Sequence, residues 1–263
     1  MTDQITRMPA VFIGHGSPMN ALGGNLFTDA WRSLGRSLPR PRAILSVSAH
    51  WYTHGTQVTG NQTPPTIHDF SGFPRPLYEL EYPAPGDPDL AARLVQQLAP
   101  LPVSVSNDWG LDHGTWSVLV HLYPEADVPI VQLSIDARQP PSFHHALGRQ
   151  LAPLRDAGIL IFGSGNIVHN LARADWGHAL APPPWALEFD ARVRGLVLTD
   201  DHARLVEYAD LGPGASLSVP TPEHYLPLLY VLGTRRPGDT ATIPVSGFDL
   251  ATISMTSIVI GPA

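Results

Sequence analysis

The sequence predicts an α/β fold in which a central sheet is covered by helices on both faces. Two observations lead there. Short β-branched apolar runs alternate with amphipathic stretches throughout the chain, the pattern of buried strands between covering helices. Its 263 residues also suit one large core, and no 20–50-residue repeat or low-complexity linker divides them. A single domain over 1–263 is therefore expected.

In chain order, Val11–Ile13, Ala43–Val47, Ile130–Ile135, Ile159–Phe162 and Ser254–Ile260 read as buried strands. Thr28–Leu38, Asp89–Leu98, Trp116–Leu122, Ser142–Ala157 and Trp185–Leu198 carry helical spacing. Asp87-Pro88 supplies a cap and a first-turn proline for the second of these. In the segment TPEHYLPLL, Thr221 is placed to cap a further helix with Pro222 at its first position, and Pro227 makes its start irregular. The segment Pro64–Pro88 is too long for a plain connection and too aromatic for a disordered linker, as lids and pocket walls are.

Composition narrows the chemistry. Net charge is −7, which gives no electrostatic footprint for nucleic acid or an anionic membrane. No apolar stretch is long enough for a secretory signal or a membrane span, so a cytoplasmic protein is expected. Cysteine is absent, excluding thiol nucleophiles, disulfides and thiolate metal sites. All 16 basic residues are arginine, which excludes a P-loop lysine and a Schiff-base lysine. Ser17 and Ser164 lack the flanking glycines of a nucleophile elbow, and Met19 and Val168 stand where a dinucleotide fingerprint needs its third glycine.

Histidine is plentiful, at 12 residues, and its placement is informative. His15 follows the first expected strand, His50 the second, and His169 lies just past the fourth. Ligands of open α/β sheets bind beyond the carboxyl ends of the strands, so these three converge on one edge. His224 joins from TPEHYLPLL, and His113 precedes the run from Trp116. Imidazole suits iron, zinc, copper and nickel, and three ligands leave positions open for chemistry. Alone, a histidine near a strand end is more often a hydrogen-bonded structural residue than a ligand, by roughly two to one, which is how His54, His68, His121, His144, His145, His178 and His202 are taken. Only the joint placement points to a metal.

Six segments in order carry a resemblance: GHGSPMN at 14–20, LSVSAHW at 45–51, TIHDFSGFP with LYELEYPAPG at 66–86, DHGTW at 112–116, GSGNIVHNL at 163–171 and TPEHYLPLL at 221–229. On these the sequence resembles the class III extradiol ring-cleavage dioxygenases, in their 4,5-DOPA dioxygenase-like branch. The resemblance implies one α/β domain with a mixed central sheet and a mononuclear non-haem metal, one per chain. It implies His15, His50 and His224 as metal ligands and His169 as acid/base, drawn as a fourth ligand in some metal-bound members. His113 matches a second pocket histidine, implied to hydrogen-bond the reacting oxygen. Many class III enzymes complete a two-histidine, one-carboxylate triad; here the third position reads His224, with Glu223 beside it. An all-nitrogen set should hold Zn(II) as readily as Fe(II), so Fe(II) is expected for activity and Zn(II) in purified protein.

The implied reaction inserts both atoms of O₂ into a catechol beside its diol. Asp69, Phe70, Phe73 and Tyr78 are expected to wall the ring pocket, and Arg75 is placed to meet a substrate carboxylate or simply solvent. Two other classes use the same residues: a zinc hydrolase with His169 as proton shuttle, and a non-catalytic interaction module, which the intact histidines disfavour.

Overall fold

A computed structural model describes residues 7–262. Its central sheet contains β1 (Ala10–Gly14), β2 (Ala43–Ser48), β3 (Ile130–Gln132), β4 (Ile159–Gly165), β5 (Asp239–Val245) and β6 (Ser257–Pro262). Their order is β3-β2-β4-β1-β6-β5. The first four are parallel, while β6 runs antiparallel to both β1 and β5, so the sheet is mixed. Register sets Ile13 and Ser48 on either side of Ser164, and the parallel strands leave the sheet at one shared edge.

Alternation along the strands divides the core in two. Ala10, Phe12, Leu45, Val47 and Ile161 pack on one face under α2 (Pro88–Gln97), α4 (Pro141–Leu151), α5 (Pro184–Leu198) and α6 (Leu226–Gly233). Val11, Ile13, Ile44, Leu160 and Phe162 pack on the other under α1 (Leu26–Ser37) and α3 (His113–Leu122). Among the described residues, no helix is long and apolar enough to cross a membrane.

Local chemistry starts the helices and corrects several expected boundaries. Asn25 accepts from the N–H groups of Phe27 and Thr28 while Thr28 Oγ1 accepts from Asn25 N–H, so α1 opens with a capping box before Thr28. Asp87 caps α2 as expected, through Leu90 N–H at 2.8 Å. The expected helix over 142–157 becomes 3₁₀ from Ala152, because Pro153 offers no N–H and would crowd the carbonyl of Arg149. The expected strand 130–135 stops at Gln132, and Ile135–Asp136 pairs with Tyr52–Thr53 outside the central sheet. Ser254 likewise belongs to a small hairpin with Phe248–Asp249, leaving β6 to begin at Ser257.

The largest correction concerns α6. Thr221 does not cap it; the helix begins at Leu226, and its first turn contains Pro227. A start at Pro222 would have put Pro227 in the helix interior, where its missing N–H and ring are costly. The chain instead turns, with Tyr225 and Leu226 N–H both bonded to the Pro222 carbonyl, and His224 sits in that turn.

At the opposite end of the sheet Arg155 is 0% exposed. Its guanidinium donates to the carbonyls of Met8, Thr234 and Ile260 and to both oxygens of Asp239, tying the chain before β1 to α6, β5 and β6. Removing Arg155 would leave the buried Asp239 carboxylate with only the part-exposed Arg7 as a cationic partner, at 3.0 Å, and strip three backbone carbonyls of this donor. Arg155→Ala should therefore lose about 3–5 kcal/mol of stability, measured by urea unfolding. A loss within error of zero would refute this clamp.

Candidate metal centre and its cavity

His15, His50, His113, His169 and His224 all line one cavity of about 320 Å³ at the carboxyl edge of the parallel strands. Backbone geometry delivers each one. His15 follows β1, its N–H bonded to the Gly165 carbonyl at 3.2 Å. His50 lies two residues beyond β2, where Ala49 N–H bonds to Ser164 O at 3.0 Å. Asp112 caps α3 and so makes His113 its first residue; a Cβ on the next residue, Gly114, would strike Ser48 Oγ at 2.6 Å and His50 Cδ2 at 2.8 Å. The turn carrying His224 is held by Asn166 N–H on the His224 carbonyl at 2.8 Å, an approach that any side chain at Gly165 would block. His169 N–H bonds to Ser218 O at 2.9 Å, and its ring lies flat on His224, centroids 3.4 Å apart.

Acceptors fix the tautomers. The Ser164 hydroxyl gives its proton to the Gly114 carbonyl, so at 3.0 Å from His15 Nδ1 it accepts. Asp69 accepts from His113 Nδ1 at 2.9 Å, and its other oxygen lies 3.3 Å from His50 Nδ1, an ion-pair distance without hydrogen-bond alignment. Glu223 Oε1 lies 3.2 Å from His224 Nδ1 and accepts from Thr221 Oγ1 at 2.7 Å. With their protons on Nδ1, these rings turn unprotonated Nε2 atoms inward. His15 Nε2 and His50 Nε2 then face each other at 3.1 Å, two lone pairs that repel without a cation to share. His224 Nε2 is buried without any protein partner. This donor set fits a divalent transition metal.

Electrostatics agree. Burial, then the neighbouring imidazoles, pushes His15, His50 and His224 well below the ordinary histidine value. His169 falls to about 4, chiefly by burial and then by His113. For Asp69, burial acts to raise the pKa, but the hydrogen bond and charge of His113, with His50, overcome it and bring it to about 2. The rings are thus neutral, as metal ligands must be, around an ionised carboxylate.

Ligating atoms lie within 4.8 Å of one another inside each of two groups, His15, His50 and His113, and His169, Glu223 and His224, so the expected trio His15, His50 and His224 is divided between them. Asp69, Phe70 and Phe73 line the cavity, although Asp69 addresses imidazoles rather than an open ring pocket. Tyr78, expected on the wall, is not on it; its ring stands behind Phe70, centroids 5.2 Å apart. Arg75 pairs with Glu79 outside the cavity. Sequence reasoning missed Ser164, dismissed with the hydrolase motif, and Glu223, weighed only as a ligand. It also missed Leu171, Trp176, Leu250 and Ile253, which line the cavity together with Gly16, Ser17, Pro18 and Ser71. Ser164 was within reach, since it sits opposite Ser48 and Ile13 at the strand ends; the other four carry no local signal.

An imidazole cluster at the strand edge, with oxygens beside its Nδ1 atoms and opening through a largely apolar cavity, fits a non-haem metal site for a small molecule. Residues 11–261 match the family described as the catalytic LigB subunit of aromatic ring-opening dioxygenase, and the chain belongs to that family. It is 54% identical over 261 residues to the 4,5-DOPA dioxygenase extradiol of Escherichia coli strain K12, covering 97% of this chain and 96% of that one. The Beta vulgaris protein of the same name is 37% identical, covering 90% and 91%. A crystal structure of an uncharacterised Escherichia coli K12 protein superposes with a TM-score of 0.86 at 49% identity, covering 97% of this chain and all of that one. The protein is thus an extradiol ring-opening dioxygenase, an oxidoreductase of catecholic rings.

The depressed histidines give a signed pH dependence. Between the ordinary value of 6.5 and about 4, unfolded His169 binds a proton that the folded site refuses. His15, His50 and His224 act in the same direction. Stability of the metal-free protein should therefore fall as pH falls through that window, read as a declining urea midpoint. A flat or rising midpoint would contradict neutral burial of these rings.

Proposed function

We propose that the chain opens a DOPA-like catechol beside its diol, with one metal held by His15, His50 and His224 and Fe(II) as the active form. The catalytic unit is a single domain spanning 1–263. The observation that carries this reading is the approach of His15 Nε2 to His50 Nε2 at 3.1 Å beside a buried, unpartnered His224 Nε2, with the three ring centroids 5.0–5.5 Å apart. His224 is chosen over His113 as third ligand because its Nε2 is buried without a partner, whereas His113 Nε2 is not left so. The relatives named 4,5-DOPA dioxygenase extradiol support the substrate class.

Held by His15, His50 and His224, Fe(II) would supply one-electron chemistry with O₂ and a Lewis-acid centre for a catechol diol. His169, neutral down to about pH 4, accepts a catechol hydroxyl proton and can return it later in the cycle. His113, anchored through Nδ1 on Asp69, presents its other nitrogen to the cavity, within reach of a catechol oxygen. Phe70 and Phe73 give the aromatic ring an apolar wall and exclude water from it. Asp69 holds His113 in a fixed tautomer, and its charge beside His50 Nδ1 favours a proton there.

The test is anaerobic reconstitution with Fe(II), then catechols and O₂, watching for a yellow ring-opened product with matching O₂ uptake. Zn(II)-loaded protein should be inactive, because zinc has no redox chemistry. Oxygen uptake by zinc-loaded, iron-free protein would overturn the reading.

Alanine at His15, His50 or His224 should remove most of the bound metal, measured by metal analysis after dialysis. His169→Ala should keep a large share of its metal while turnover drops about 10²–10⁴-fold, as for loss of a general acid/base. Equal metal loss in the His169 variant would make it a fourth ligand instead.

A further inference from the structure

The cavity has a buried and an exposed end. His15 and His224 are 1% and 7% exposed, whereas Trp176, lining the same cavity, is 59% exposed. Leu171, 50% exposed, and Leu250 line it too, so the path from the histidines leads out past an indole and two leucines.

The Trp176 segment is stitched in place. Asp175 N–H donates to the Leu250 carbonyl at 2.9 Å. The Asp175 carboxylate accepts from Gly177, Ala179 and Leu180 N–H at 3.1, 2.6 and 2.6 Å. On the other side of the indole, His178 Nδ1 lies 3.4 Å from Asp249 Oδ1. A large apolar side chain is thereby fixed at a cavity mouth with most of its surface wet, a placement that core packing does not require.

We propose that Trp176 is a specificity-determining residue: its indole covers the substituent a catechol carries opposite its diol. This rests on the catechol reading above. With the diol at the histidines, such a substituent points along the cavity to the mouth. An alkyl or aryl group there is dehydrated against Trp176, Leu171 and Leu250. Among the described residues, the cavity lining contains no arginine, and the chain has no lysine. A carboxylate borne directly on the ring would lie among Phe70, Phe73 and Leu171 without a cation, near the ionised Asp69. A charged group on a flexible tether clears the indole and stays in water. The site is accordingly built for catechols with apolar or tethered polar substituents, and against ring carboxylates.

The experiment compares wild type, Trp176→Ala and Trp176→Phe, each loaded with Fe(II). Anaerobic Kd and aerobic kcat and KM are measured for catechol, 4-propylcatechol and 3,4-dihydroxybenzoate. Wild type should bind 4-propylcatechol about tenfold more tightly than catechol, the size of one aromatic contact with the apolar area it covers. Trp176→Ala should erase most of that preference through Kd and KM with a smaller change in kcat, and Trp176→Phe should restore part of it. Dihydroxybenzoate should bind more weakly than catechol to all three proteins. An unchanged propylcatechol preference in Trp176→Ala, or tighter binding of dihydroxybenzoate than of catechol, overturns the proposal while leaving ring opening intact. An iron-loaded wild type that opens no catechol overturns the catechol reading and this proposal together.

Discussion

Everything at the strand edge depends on one constraint: His15, His50, His113 and His224 each have an oxygen beside Nδ1, which leaves Nε2 free for the cavity. Ser164, Asp69 and Glu223 provide those acceptors, from β4, from the long aromatic loop and from the turn before α6. Without them the rings would be free to flip and to satisfy one another by N–H···N bonds. With both protons on Nδ1, His15 Nε2 and His50 Nε2 at 3.1 Å would repel, and a bound metal would relieve the pair. The centre is preorganised at the expense of metal-free stability, a familiar relation between function and fold.

Rigid scaffolding makes that arrangement reproducible. Strand register sets Ser164 between Ile13 and Ser48, which places the residues after β1 and β2 on the same rim. Two packed cores hold the sheet from both faces, and the Arg155 clamp closes its far end. Close approaches at Gly114 and Gly165 then let α3 and the His224 turn come within reach of the rings. Catalytic precision here is a consequence of backbone pairing more than of the histidines themselves.

Much of this was legible in the sequence, and the parts that were not have physical reasons. The four parallel strands are continuous apolar runs, and their exits carry His15, His50 and, a little further on, His169; periodicity alone placed these on one edge. The edge strand β5 went unseen because only its two end residues are buried and Thr240, Thr242 and Pro244 between them are exposed. The α6 boundary was misread because two prolines competed for the first turn, and only packing decides between them. Asp69 looked like a substrate contact because it sits among aromatics in the loop; its bond to His113 joins positions 44 residues apart, a distance that local pattern cannot bridge. Trp176 and Leu250 meet at the mouth from segments even further apart, and nothing in either segment announces the other.

The central claim is that His15, His50 and His224 bind one metal through Nε2 while their Nδ1 protons stay on protein acceptors. Long-range ¹H–¹⁵N correlation of the histidine rings in Zn(II)-loaded protein tests it residue by residue. The account predicts metal-shifted Nε2 and protonated Nδ1 for these three, with His113 and His169 unshifted by zinc. Coordination through Nδ1, or a shell of His15, His50 and His113 that leaves His224 free, would contradict it.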